Sequence, residues 1–140
     1  MDEAFLDTGC AIALASPHDQ YHQAAVQLAA RLAADATRIV TTRAVVLEIG
    51  NALSKPKYRE AAVRLLHALD VDPRVTVVPL SEDLYNRALH LFCSRMDKSW
   101  SITDCASFLV MEDRGIRDAL TADAHFIQAG FRAMLRESPS

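Results

Sequence analysis

What this 140-residue chain lacks narrows its class before any motif does. Although 51% of its residues are hydrophobic, no uninterrupted apolar run approaches the roughly 18 to 20 residues that cross a bilayer, so no membrane span is expected. Cysteine is sparse and odd in number. Cys10, Cys93 and Cys105 form no C-x-x-C pair and lie in apolar helical contexts, which reads as small buried hydrophobes in a reducing compartment. An excess of basic residues is also missing. The formal net charge of −3 argues against bulk electrostatic capture of nucleic acid, although acids gathered inside a site are counted together with surface ones and can mask a neutral or basic mouth. The first residues, MDEAFLD, carry acids where a secretory signal or transit peptide carries basic residues, so a cytoplasmic protein is expected. Repeats, low-complexity tracts and interdomain linkers are absent, and the length suits one domain with its own core.

What is present is an alternation of short β-rich segments with amphipathic helical ones. Residues 4–6 read as a strand running through Asp7-Thr8-Gly9 into a helix over 10–15, and residues 19–34 repeat apolar positions at helical spacing. A second strand, 38–41, leads to Thr42, which caps a helix over 43–53. Ala62, Leu65, Leu66 and Leu69 mark another helix after Pro56. Residues 75–78 form the clearest strand, and Ser81 caps a helix whose apolar face carries Leu84, Ala88 and Leu91. From 103 to 114 the pattern is apolar nearly all round, which predicts a central helix ended at Gly115. Residues 116–121 read as a last strand, and a helix begins at 122–123 and ends at Gly130-Phe131. The expected domain spans 1–131, with 132–140 as a polar tail. Strands separated by helical segments require crossovers, so the class is α/β, with a mostly parallel sheet and helices on both faces.

Four acids sit in surroundings that do not tolerate them singly: Asp7 in AFLDTG, Glu48 in VVLEIGNAL, Asp104 in WSITDCASF and Asp123 in LTADAHF. Burying an isolated carboxylate costs several kcal/mol or more, so repeated acids aimed at a core imply something positive between them. Asp7 and Asp123 fall at strand-to-helix turns, where open parallel sheets collect ligands. Without suitably placed His or Cys, such a cluster favours Mg²⁺ or Mn²⁺, and the implied chemistry is phosphodiester hydrolysis. Each acid also has a plainer reading. Asp7 and Asp123 suit helix N-caps, and Asp104 completes a capping box with Ser101, roles worth roughly 0.5 to 2 kcal/mol. Glu48, mid-helix, escapes that account.

In their order and spacing, FLDTG, the Glu of LEIGNAL, SITDCASFLVM and LTADAHFIQAGF resemble the PIN-domain family over residues 4 to 131. The resemblance is closest to the VapC-type toxin ribonucleases of bacterial toxin–antitoxin modules. It implies a PIN-like three-layer α/β/α fold and a metal-dependent endoribonuclease acting on single-stranded or loop RNA. Its acidic quartet maps onto Asp7, Glu48, Asp104 and Asp123. Thr8 is similar to the hydroxyl that follows the first acid, and Ser101 or Thr103 would orient a ligand or phosphate. A homodimer and a cognate antitoxin that inserts a segment near the acidic cleft are implied as partners. Arg43 and Lys98, close in sequence to Glu48 and Asp104, are the preferred phosphate-binding cations. Trp100 is weighed as a base-stacking platform against core packing, and core packing is favoured. Asp97, His18, His22 and His125 are assigned ordinary surface or hydrogen-bonding roles. The alternative is a catalytically inactive PIN-like RNA-binding or scaffold module. A phosphoacceptor domain fits less well, because Thr8 rather than a second acid follows Asp7 and Ala124 rather than a lysine follows Asp123.

Overall fold

The computed structural model describes residues 2–137. Strands β1 (Glu3–Leu6), β2 (Arg38–Thr42), β3 (Val75–Val78), β4 (Asp118–Leu120) and β5 (Arg132–Ala133) form one sheet in the order β3-β2-β1-β4-β5. Each neighbouring pair is parallel, as the crossover helices require. The helices are α1 (Thr8–Ala15), α2 (His22–Ala34), α3 (Arg43–Ala52), α4 (Pro56–Val71), α5 (Glu82–Ser94), α6 (Ile102–Arg114) and α7 (Ala124–Gln128). Ala4, Phe5 and Leu6, successive residues of β1, are all buried. Side chains alternate across a strand, so both faces of the sheet are covered and the α/β class takes its three-layer form.

The strand order places the topological switch between β1 and β4. The chain moves outward from β1 through β2 to β3, then returns to the other side of β1 for β4 and β5. In open parallel sheets the crevice beyond the carboxyl ends of the two switch-point strands is where ligands bind. Asp7 directly follows β1, and Thr121 to Asp123 directly follow β4.

Local chemistry sets the helix starts. The Thr42 hydroxyl accepts the Val45 amide at 3.1 Å, and the Ser81 hydroxyl accepts the Leu84 amide at 3.0 Å. Gly115 closes α6 in the left-handed region (φ 68°), where a side chain would be strained. Cys105, Ala106, Phe108, Val110 and Met111 bury most of the circumference of α6, making it the central helix that the apolar pattern predicts. Phe108 packs edge-on against Trp100 and Phe126, each with ring centroids 5.0 Å apart, and this cluster fixes α6 relative to α7. Trp100 is therefore a core residue, its indole N–H donating to Gln128.

Several boundaries differ from expectation. Helix α1 begins at Thr8, and α2 begins only at His22 because the Asp19 carboxylate takes the Tyr21 amide in a turn. The expected polar tail is not all tail. Arg132 and Ala133 add β5 beside β4, and Met134 and Leu135 are buried in a 3₁₀ turn, the Leu135 amide donating to the Thr121 carbonyl at 3.0 Å. Two residues cannot display a strand period, so only the sheet edge they fill reveals them. Residues 138–140 of that tail lie outside the described residues. Cys10 and Cys105 are buried, with their thiols pushed up to about 12 and about 11, burial being the main cause. Cys93, expected to be buried, is exposed on α5.

Candidate active site

A cleft of about 520 Å³ opens at the carboxyl ends of β1 and β4. Its wall includes Asp7, Thr8, Glu48, Ser101, Asp104, Thr121, Asp123 and His125. The four acids singled out in the sequence thus reach one cavity, from four separate elements.

Asp7 is 7% exposed, and its position is fixed by the sheet. Its amide donates to the Leu120 carbonyl, and the Thr41 hydroxyl donates to the Leu6 carbonyl beside it at 2.8 Å. The carboxylate precedes α1 but makes no capping bond to it; its Oδ2 instead accepts the Thr121 hydroxyl at 2.8 Å. Burial pushes this carboxyl up from 3.8 to about 6. The Thr121 hydroxyl and the Thr8 amide pull it back, while Asp104 and Asp123 add repulsion. A helix cap alone does not explain such a residue.

Glu48 reaches the cleft because α1 packs on α3. Its Oε1 accepts the Thr8 hydroxyl at 2.7 Å, which ties the residue after the first acid to the second acid. Asp104 does form the capping box: its amide donates to Ser101 Oγ at 2.9 Å, and its Oδ2 accepts the Ser101 amide at 3.1 Å. The same Oδ2 lies 3.0 Å from His125 Nδ1. Burial raises the Asp104 carboxyl above its ordinary range, against the Ser101 and His125 hydrogen bonds that lower it. Asp123 caps α7, its Oδ1 accepting the His125 amide at 2.8 Å, while its own amide donates to the Thr121 hydroxyl at 3.0 Å. Capping thus accounts for the backbone positions of Asp104 and Asp123, but not for Asp7 or Glu48.

Other candidates separate. Thr8 and Ser101 line the cleft; Thr103 does not, its carbonyl accepting the Ser107 hydroxyl within α6. Arg43 is exposed at the start of α3, away from the cleft wall. Lys98 sits by Asp97 and 5.9 Å from the centre of the Trp100 ring. Asp97 itself is held at about 2 by the Arg95 guanidinium. His22 Nδ1 donates to the Ala13 carbonyl at 2.7 Å, a hydrogen-bonding role, and neither His22 nor His18 lines the cleft. Two residues that the sequence did not place in the site line it, one unnoticed and one, His125, in the hydrogen-bonding role expected of it. Thr121 bridges Asp7 and Asp123, and His125 joins Asp104 and Asp123 in a group whose possible ligand atoms lie within 4.8 Å of one another. The nearness of His125 to Asp123 in sequence was a signal for it; Thr121 offered none beyond ending the last strand.

With this geometry in hand, comparison with known proteins is decisive about kinship. The model of the PIN domain matches residues 4–132. The chain belongs to the PIN domain family. The 23S rRNA-specific endonuclease VapC20 of Mycobacterium tuberculosis, from strains CDC 1551 / Oshkosh and H37Rv, is 29% identical over 127 residues, covering 91% of this chain and 94% of that protein. The crystal structure of M. tuberculosis VapC20, described there as a Sarcin-Ricin loop cleaving toxin, superposes with a TM-score of 0.81 at 28% identity. That match covers 93% of this chain and 97% of the other. The parallel sheet with helices on both faces is the PIN fold of that relative.

Proposed function

We propose that this PIN-family protein is a metal-dependent endoribonuclease that hydrolyses phosphodiester bonds of single-stranded or loop RNA and acts as the toxin of a toxin–antitoxin pair. The observation that carries the reading is the cleft wall. Asp7, Asp19, Glu48, Asp104 and Asp123 line it, and among the described residues no Lys or Arg does. A cleft this acidic repels an RNA phosphate unless a cation neutralises it.

The residues present fit a divalent ion. Carboxylate oxygens dominate the donor set, which suits Mg²⁺ or Mn²⁺ better than zinc. Glu48, Asp104 and Asp123 each have one oxygen engaged by a protein donor and a second without one among the described residues. Asp7, Glu48, Asp104 and Asp123 would hold the ion, which when bound neutralises the phosphate and makes water a better nucleophile. The chain supplies the rest. Thr121 and Thr8 fix the Asp7 and Glu48 carboxylates, so their orientation need not be organised during the reaction. Ser101 accepts the Asp104 amide through its oxygen, which leaves its hydroxyl hydrogen available to donate to a phosphate at the cleft mouth.

The names of the VapC20 relatives make the sarcin–ricin loop of 23S rRNA the first substrate to test, with transfer and messenger RNA beside it. A cytoplasmic homodimer silenced by an antitoxin completes the reading, and no helix among the described residues is long and apolar enough to cross a membrane. The test is incubation of purified, antitoxin-free protein with an RNA panel in Mg²⁺, Mn²⁺ or EDTA. Discrete cuts that EDTA abolishes are expected. RNA binding without cleavage in any metal would instead favour a binding module.

A further inference from the structure

We infer that His125 is a positioning residue which holds the Asp104 and Asp123 carboxylates in register for the divalent ion without itself binding it. The inference rests on the metal-site reading above but assigns a role that the acidic quartet does not contain. Asp104 and Asp123 project from different helices, α6 and the start of α7, and carry like charge, so nothing in their own chemistry keeps them together. Among the described residues His125 touches both. Its Nδ1 lies 3.0 Å from Asp104 Oδ2 and 3.4 Å from Asp123 Oδ1, and its backbone amide donates to Asp123 Oδ1 at 2.8 Å.

An ionised carboxylate only accepts, so the hydrogen between His125 and Asp104 belongs to Nδ1. A protonated nitrogen has no lone pair for a cation, which separates this contact from direct ligation through the same atom. The consequence falls on the oxygens. Asp104 Oδ2 is occupied by two donors, the Ser101 amide at 3.1 Å and His125 Nδ1, and Asp123 Oδ1 is occupied by the His125 amide. Asp104 Oδ1 and Asp123 Oδ2 are the atoms left over, with no protein donor among the described residues. Partners of this kind fix ligand orientation, and their loss typically costs ~10–100-fold in metal affinity.

The test is Mn²⁺ affinity, followed by electron paramagnetic resonance on wild type and on His125→Ala and His125→Asn variants. Circular dichroism and thermal unfolding check each fold, and the side chain, 28% exposed, leaves room for substitution. His125→Ala is expected to weaken Mn²⁺ binding ~10-fold or more. His125→Asn, whose amide nitrogen can replace Nδ1–H, should recover most of it. Unchanged affinity in His125→Ala overturns the inference, and so does an Asn variant as weak as Ala, which would make the imidazole itself a ligand. Nitrogen-15 spectra give an independent readout: the wild-type His125 ring should carry a proton on Nδ1, and a ring protonated at Nε2 alone contradicts the assignment. Wild type that binds no Mn²⁺ at all would overturn the metal-site reading, a failure distinct from any difference among the variants.

Discussion

Strands β1 and β4 lie side by side and carry acids at both ends, yet the two ends are treated in opposite ways. At the amino ends, Glu3 is paired with Arg114 at 2.8 Å and Asp118 with Arg132 at 2.7 Å. At the carboxyl ends, among the described residues, Asp7 and Asp123 meet only hydroxyls, amides and one imidazole. The same pattern separates the ends of α6. Near its carboxyl end Arg87 grips both oxygens of Asp113 and holds that carboxyl below its usual range, while at the first turn Asp104 has no arginine among the described residues and is pushed upward. Where the chain needs an acid neutral for structure, it supplies a guanidinium. Where it leaves acids crowded without one, the proposed divalent ion would supply the missing charge.

The sharpest way to break this contrast is to remove one acid from each end. Asp7→Asn should lower kcat/KM for RNA by more than the ~10–100-fold that outer-shell substitutions cost, whereas Glu3→Gln should leave it unchanged. The second way uses pH on metal-free protein. Below its ordinary value of 3.8, Asp7 is protonated in both folded and unfolded chains and imposes no penalty. Between 3.8 and about 6 the unfolded chain ionises while the folded one resists, and above about 6 the penalty is complete, roughly 3 kcal/mol. Urea unfolding should therefore show the difference in stability between Asp7→Asn and wild type growing from near zero at pH 4 to that size at pH 7. A constant difference across that range would deny the raised carboxyl. Ser101→Ala removes the cap acceptor at the start of α6 and should cost ~1 kcal/mol in the same assay, with a further loss of cleavage if Asp104 shifts. Smallest is Arg114→Ala, which breaks an exposed pair worth less than ~1 kcal/mol and should not alter cleavage.

How much of this was legible in the sequence follows from the same physics. The parallel α/β alternation is readable because the β-branched run Val75–Val78, half-buried in the sheet, and the helical spacing on α2 both show in short windows of sequence. The convergence of Asp7, Glu48, Asp104 and Asp123 is anticipated from single residues, since an acid among apolar neighbours is conspicuous wherever it folds. What escapes is whatever tertiary proximity creates. Thr121 meets Asp7 across 114 residues, and a threonine ending a strand looks like any other. His125 beside Asp123 is visible, but its second partner, on another helix, is not. Arg43 stands apart from the cleft wall for the opposite reason. It lies five residues before Glu48, about 1.4 helical turns, which turns it to a different face of α3. Lys98, adjacent to the site in sequence, is drawn to Asp97 and the Trp100 ring instead.

The most direct measurement of the central claim sets Asp7→Asn beside Glu3→Gln, with wild type, in one RNA cleavage assay containing Mn²⁺ or EDTA. The account predicts cutting by wild type and Glu3→Gln in Mn²⁺ alone, and none by Asp7→Asn in either condition. Cleavage by Asp7→Asn at the wild-type rate, or cutting that persists in EDTA, would contradict it.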